Sequence, residues 1–412
     1  MSEFVILGAG MIGVTTALAL QERGHAVIIV DRRQPGGEAS YGNAGIVQVE
    51  VMEPYAFPRA PIDVLRLALG FGNAVRYHLS ALPSAALPLA LYYLNSAPRR
   101  YRAISAIYRQ LIGHCGADHD KLIAQAGAEH LFSRRGYMQM HREASELDAD
   151  AALAERYTTD FGVQSRILSN QALRREEPCL KMDFAGAVHW RESRSCADPG
   201  ALVVAYADLF RRRGGSLIEE EVRSLTQSAF GWHVHLRSRR RLSAENVVIA
   251  LGAWSPSVLK PLGVSIPMVR KRGYHRHYQA DRLPGRPLFD VAASALYCPM
   301  TKGLRLTTGA EIARFPSAKT PRQLVRAERM AREAVDFGAA IELEPWAGWR
   351  PCMPDMLPVV GAVPGKHGLW CNFGHGHQGF TLGPTSALLL AKRVHGSAED
   401  NVSKAISPIR FV

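Results

Sequence analysis

One arginine, Arg350, stands among rigid and bulky neighbours in the run Trp346-Ala347-Gly348-Trp349-Arg350-Pro351-Cys352-Met353-Pro354-Asp355. A guanidinium is a planar fork that pairs bidentately with a carboxylate, and Trp349 and Pro351 would hold it stiffly. The residues leave two uses open: a clamp for an anionic small molecule, or a structural salt bridge with Asp355. A glycine-rich turn follows, Gly374-His375-Gly376-His377-Gln378-Gly379-Phe380. Its glycines would let backbone come close to a planar group. The helix predicted over 381–394 would aim its positive end at that group.

A second chemistry-bearing pattern opens the chain, Gly8-Ala9-Gly10-Met11-Ile12-Gly13. Gly8 permits a tight turn, Gly10 removes a side chain where a pyrophosphate must approach, and Gly13 lets a helix pack on a strand. The pattern alone is weak. Here it follows an apolar strand over 4–7, opens a helix over 12–23, and is followed by a second strand over 26–30 ending at an acid, Asp31, 18 residues after Gly13. That is where a ribose-binding carboxylate belongs in a βαβ dinucleotide site. The fingerprint does not separate FAD from NAD.

Further segments carry a resemblance. Ser40-Tyr41-Gly42-Asn43-Ala44-Gly45, Val248-Ile249-Ala250-Leu251-Gly252-Ala253-Trp254-Ser255, Arg272-Gly273-Tyr274-His275, Trp349-Arg350-Pro351 with Pro354-Asp355, and Gly374-His375-Gly376-His377 stand in the order found in the D-amino-acid dehydrogenase family, the DAO-type FAD-dependent oxidoreductases. The chain resembles that family over essentially its whole length. The resemblance implies non-covalent FAD, held by Gly8, Gly10, Met11, Ile12, Gly13, Asp31, Arg32, Ser40, Asn43, Ala44, Gly45, Val222, Ala250, Gly252 and Trp254. The turn residues Gly376, His377, Gln378, Gly379, Phe380 and Thr381 complete that set. The helix after the turn would stabilise negative charge on the reduced ring.

By the same resemblance, Arg350 binds the substrate carboxylate, Tyr274 reaches the active site from the substrate lobe, and His377 lies beside flavin and substrate. His275 and Tyr297 are weaker candidates, and Cys352 reads as a small packed residue. The implied reaction is oxidation of a D-amino acid or cyclic imino acid, cis-4-hydroxy-D-proline included. The alternative is oxidation of an N-alkylated amino acid (sarcosine, glycine or an opine) by one subunit of a heteromer. The electron acceptor is oxygen, a quinone or another carrier.

The elements that must position these groups are legible in part. Residues 60–132 read as helical with breaks at prolines, 136–141 as a strand, 144–156 and 170–176 as helices. The segment 199–213 is a helix with Asp198 as N-cap and Pro199 in its first turn. Strands are predicted near 216–224, 231–237 and 245–250, an antiparallel region over 265–312, and a helix over 321–337. The expected fold is α/β: a Rossmann-like FAD-binding domain and a second, α+β substrate domain on an antiparallel sheet. Because the cofactor segments are scattered, both domains are discontinuous: 1–60, 185–258 and 345–412 for FAD, 61–184 and 259–344 for substrate.

Composition bounds the rest. At 412 residues the chain is long enough for two lobes. Its formal charge of +13 is dispersed, and no nucleic-acid motif accompanies it. The six cysteines show no metal-ligand spacing, so no metal site and a reducing compartment are expected. The chain opens directly into a strand and holds no apolar run of about 20 residues, so neither a signal peptide nor a spanning helix is expected. The stretch 79–94 is apolar with arginines on both flanks. It reads either as packed helices interrupted by proline or as a segment dipping into a membrane interface. The expected location is cytoplasmic, with peripheral contact at the inner face of the cell membrane as the second reading.

Overall fold

The computed structural model describes every residue except Met1, Asp63, 65–74 and Glu399. At its centre is a sheet begun by the apolar strand Ser2–Leu7, flanked in parallel by Val27–Asp31 on one side and Arg241–Ile249 on the other. Ser216–Glu219 continues it beyond Val27–Asp31. Leu369–Phe373 continues it beyond Arg241–Ile249, and Val359–Ala362 pairs antiparallel at that edge. The first half of Arg241–Ile249 also carries an antiparallel hairpin, Gly231–Leu236 and Val222–Ser228. The strands of the parallel centre are buried on both faces, as a sheet covered by helices requires. Helices Met11–Gln21, Pro199–Arg212 and Gly379–Val394 cover one face. Asp198 caps Pro199–Arg212 by accepting from the N–H of Ala201 at 2.9 Å, as expected.

A second, ten-stranded sheet is built on the long strand Val269–Tyr278. Gly303–Thr307, Ala310–Ile312 and Trp346–Cys352 pair with it antiparallel. The sheet runs on through Ala295–Met300, Leu288–Asp290, Tyr137–His141, Gly186–Trp190 and Ser165–Ser169. It is antiparallel except where Leu288–Asp290 meets Tyr137–His141 and Val75–Tyr77 meets Ala310–Ile312.

The expected boundaries differ from this architecture in three places. Gly186–Trp190 and Trp346–Cys352, both assigned to the FAD domain, are strands of the second sheet. Helix Pro98–Ala126, assigned to the substrate domain, packs instead against Gly379–Val394 and Pro199–Arg212 and joins the core of the first lobe through Tyr108, Leu111, Ile112 and Cys115. The expected helical span 60–132 is partly outside the described residues. Within the rest lie a short strand, Val75–Tyr77, and helices Leu82–Asn95 and Pro98–Ala126. Pro88 sits inside Leu82–Asn95 without breaking it, and the break falls at Ser96-Ala97.

Candidate active site

The helix Met11–Gln21 starts where the sequence places it. Gly8 has φ +112°, and a Cβ there would lie 2.5 Å from the Ala250 carbonyl oxygen on the neighbouring strand. A Cβ on Gly13 would sit 1.8 Å from the Gly8 carbonyl oxygen, so this glycine sets how closely helix and strand pack. Gly10 differs: a Cβ would meet only Ser40 Oγ, at 3.3 Å. Gly10 therefore faces open space. Ser40 Oγ accepts from the N–H of Met11 at 2.9 Å, and Asp31 Oδ2 accepts from the N–H of Ala9 at 2.6 Å. Burial raises the Asp31 pKa, partly offset by the N–H groups of Ala9 and Arg33.

That open space is a cavity of about 890 Å³ running between the two sheets. Gly8, Gly10, Met11, Ile12, Asp31, Arg32, Ser40, Asn43 and Ala44 line one end, together with Val222, Ala250, Gly252 and Trp254. The Arg32 guanidinium lies over the Trp254 ring, 4.6 Å from its centroid. Gly376, His377, Gly379 and Phe380 line the other part, at the N-terminus of helix Gly379–Val394. Four of the expected cofactor residues stand behind this wall. Gly13 packs on Gly8. Gly45, at φ +74°, packs on the Cys196 carbonyl. Gln378 donates through Nε2 to Gln48 Oε1 at 2.8 Å, and Thr381 Oγ1 accepts from the Gln48 N–H at 3.2 Å. The glycine cradle, the carboxylate at the strand end, the open face at Gly10 and the helix terminus at the far end fit a dinucleotide carrying a planar ring.

Arg350 enters the cavity from the second sheet. Its strand is paired so that Gly273 lies beneath it, and a Cβ on Gly273 would come 2.5 Å from Arg350 Nη2. The missing side chain leaves the groove in which the guanidinium lies. Nη1 donates to the Gly309 carbonyl at 2.8 Å and Nη2 to the Thr308 carbonyl at 3.2 Å. Among the described residues no carboxylate lies within ion-pair distance of it. Asp355, the alternative partner, is taken by Arg410 at 2.6 Å. Burial lowers the Arg350 pKa, so the cation is held in place by carbonyl dipoles while lacking a counter-charge.

Two other rings share this part of the cavity. His377 is exposed into it. Burial, followed by the charges of Arg350 and Lys271, pushes its pKa down to about 3. Tyr55 meets His377 edge-on with ring centroids 4.7 Å apart, and burial pushes its phenol up to about 12. Tyr55 was not among the expected residues. It sits in an irregular loop after Pro54, with no periodicity or motif to mark it. The ring of Trp346 fills the space that side chains at Gly42 and Gly348 would take and stacks on His275 at 4.8 Å.

Tyr274 departs from its expected role. Its hydroxyl donates to Glu311 Oε2 at 2.6 Å and accepts from the N–H of Thr320 at 2.8 Å. Arg272 Nε also donates to Glu311 Oε2, at 2.7 Å, inside the sheet. The alternation of the strand turns the phenol into this buried network, and Tyr274 lines the cavity without offering it the hydroxyl. His275 and Tyr297 are likewise buried away from the cavity, Tyr297 donating to Asp290 at 2.8 Å. None of the six cysteines lines the cavity, and Cys352 packs at its back with Val269 and Ile312.

Comparison with known proteins agrees with this geometry. Residues 3–393 match the family described as DAO, FAD dependent oxidoreductase. A D-amino-acid oxidase of Bradyrhizobium diazoefficiens is 29% identical, with 99% of this chain and 98% of the relative covered. A D-amino acid dehydrogenase of Chromohalobacter salexigens is 28% identical over 96% of each chain. Among solved structures, glycine oxidase from Geobacillus kaustophilus superposes with a TM-score of 0.74 at 21% identity, covering 100% of this chain and 99% of the other. Iminodiacetate oxidase from Chelativorans sp. BNC1 gives 0.73 at 21% identity, covering 98% and 99%. With its glycine cradle, the glycine-rich turn at the head of helix Gly379–Val394 and a family match spanning nearly all of its length, the chain belongs to the DAO family of FAD-dependent oxidoreductases.

Proposed function

We propose that this protein oxidises a D-amino acid or a cyclic imino acid, cis-4-hydroxy-D-proline among them, to the imino acid. FAD, when bound, supplies the chemistry by accepting the hydride from the substrate carbon at flavin N5. The observation that carries the reading is Arg350: a buried guanidinium on the cavity wall with no carboxylate partner among the described residues. A substrate α-carboxylate supplies the missing charge and is oriented by the fork. Tyr55 and His377 close over the substrate and exclude water. With its pKa near 3, His377 is a neutral imidazole that can donate or accept one hydrogen bond. No side chain has to act as general base, because an amine bound in its neutral form has no proton to shed before hydride transfer. The printed names of the relatives, D-amino-acid oxidase and D-amino acid dehydrogenase, support the substrate class.

On this reading FAD is non-covalent, and a quinone or another carrier takes the electrons at the inner face of the cell membrane. Two features support peripheral contact. In helix Leu82–Asn95, Leu87 and Leu94 are exposed, as is Leu79 before it. The sequence holds no Asp or Glu from 64 to 117, while Arg99, Arg100 and Arg102 are exposed beside the helix. Among the described residues no helix is long and apolar enough to cross a membrane.

The test is anaerobic bleaching of the flavin's visible absorbance in the purified chain. The expected result is rapid bleaching by a D-amino acid or by cis-4-hydroxy-D-proline, with re-oxidation faster by a quinone than by air. Bleaching by sarcosine or an opine instead would move the substrate to N-alkylated amino acids. A yellow protein bleached by none of these, but bleached once a partner subunit is added, would replace the self-sufficient enzyme by a heteromer.

A further inference from the structure

The cavity holds a second charge that the reading above leaves unused. Glu50 lines it, three side chains on from Arg350. His377 feels the Arg350 charge, Tyr55 lies edge-on to His377, and Gln48 hydrogen-bonds Tyr55. Gln48 then donates through Nε2 to Glu50 Oε1 at 3.0 Å. The Glu50 residue is only 2% exposed. Its carboxylate accepts from the Ser193 hydroxyl, from its own backbone N–H, from Tyr137 and from Gln48. Among the described residues, no lysine, arginine or histidine lies within ion-pair distance of it. Its acidic neighbours on the same wall have partners: Glu53 pairs with Arg156 and Arg109, and Asp150 with His141 and Gln139.

A carboxylate taken out of water without a cation is unfavourable, and burial raises the Glu50 pKa accordingly. Neutral donors relieve this only in part. None of these donors carries a charge, and Glu50 lines the cavity, so a cation that balances it has to come from a bound molecule. Arg350 and Glu50 thus give one chamber a positive end and a negative end, with the rings of His377 and Tyr55 along the wall between them.

We propose that Glu50 is the subsite for the far end of the substrate, and that the preferred substrate is a dibasic D-amino acid. Its α-carboxylate meets Arg350, and its side-chain ammonium or guanidinium meets Glu50. This rests on the oxidation proposed above at the same cavity. The opposed charges fix which way an extended zwitterion lies.

The experiment is anaerobic flavin reduction by D-ornithine, D-lysine and D-arginine against their uncharged counterparts D-norvaline and D-norleucine. It uses the FAD-loaded protein and its Glu50→Gln variant, with bound FAD and the thermal midpoint recorded for both. In the wild type the dibasic compounds reduce flavin with a specificity constant at least about tenfold above the uncharged ones. In Glu50→Gln that advantage is lost, the dibasic compounds falling at least about tenfold further than D-norvaline does, because only they lose a charged partner. Equal loss for every substrate would make Glu50 structural and overturn the subsite. So would a wild-type preference for D-norvaline, which decides the matter even if the variant does not fold. Reduction by D-norvaline but by no dibasic compound refutes only the Glu50 assignment. Reduction by no D-amino acid at all removes the oxidation reading itself.

Discussion

Arg350 and Tyr274 sit on paired strands of the second sheet, and their surroundings separate two roles that the motif alone runs together. Arg350 lies in a groove made by Gly273, donates to two carbonyls and, among the described residues, has no anionic partner. Replacing it by Ala should cost about 2–5 kcal/mol of transition-state binding, read as a fall in kcat/KM of well over tenfold with FAD content unchanged. Arg350→Lys should recover little, because a point charge does not reproduce the fork. Near-normal kinetics in both would discard the clamp. Tyr274→Phe should do the opposite. It removes one donor from the buried Glu311 and should cost about 1–3 kcal/mol of stability in urea unfolding, with kcat/KM within a few-fold of wild type. A selective loss of substrate binding in Tyr274→Phe would restore the role that the motif suggests. Arg350 was legible because its rigid neighbours and motif survive in one dimension. The direction of the Tyr274 hydroxyl was not, because it depends on Glu311 and Thr320, far along the chain. Tyr55 was invisible for the same reason: only the fold brings its loop against His377.

At the level of elements, the fingerprint glycines make a sharper prediction than the pattern does. Gly10 faces open cavity at ordinary φ, so Gly10→Val should fold yet purify without FAD, its side chain occupying the pyrophosphate approach. Gly13→Ala places a methyl against the Gly8 carbonyl and should lower stability before it affects cofactor affinity. Visible absorbance of the purified variants and their circular-dichroism melts separate the two. A fully yellow Gly10→Val would remove the fingerprint from the account. The first βαβ unit, helix Pro199–Arg212 and helix Gly379–Val394 were legible to within a few residues, since caps, glycines and apolar runs are local signals. Strand allegiance was not. Gly186–Trp190 and Trp346–Cys352 follow or adjoin first-lobe motifs in sequence, but each pairs with partners in the second sheet. Pro88 does not break its helix, which continues on packing along Ala85, Pro88 and Tyr92.

Across the whole molecule, buried histidines couple protonation to folding. Burial holds His119 and His189 near pKa 4, His375 near 3 and His275 near 2, and lowers His277 as well, all below the ordinary value of 6.5. Below about pH 6.5 the unfolded chain takes up protons that the folded chain refuses. Their contribution to stability is therefore complete above that pH and is lost as pH falls towards 4 and 3. Asp31, Glu50 and Glu177, raised by burial, act against this in the acid range. With five histidines against three carboxyls, the thermal midpoint should fall steadily from pH 7 to pH 5, and a midpoint that is flat or rises over that range would contradict the protonation states assigned here. Catalysis should not follow the same titration. His377 stays neutral throughout, so kcat/KM in a His377→Asn variant should keep the shape of the wild-type pH profile even if its height drops.

The proposed reaction begins with one event, the capture of a substrate carboxylate by Arg350. The most direct measurement is anaerobic stopped-flow reduction of the flavin by a D-amino acid and by its carboxamide, in wild type and in Arg350→Ala. The prediction is that the acid bleaches the wild-type flavin and the amide bleaches it at least about tenfold less efficiently. In Arg350→Ala that discrimination should collapse. An amide that reduces wild-type flavin as well as the acid, or a variant that keeps the full preference for the acid, would contradict it.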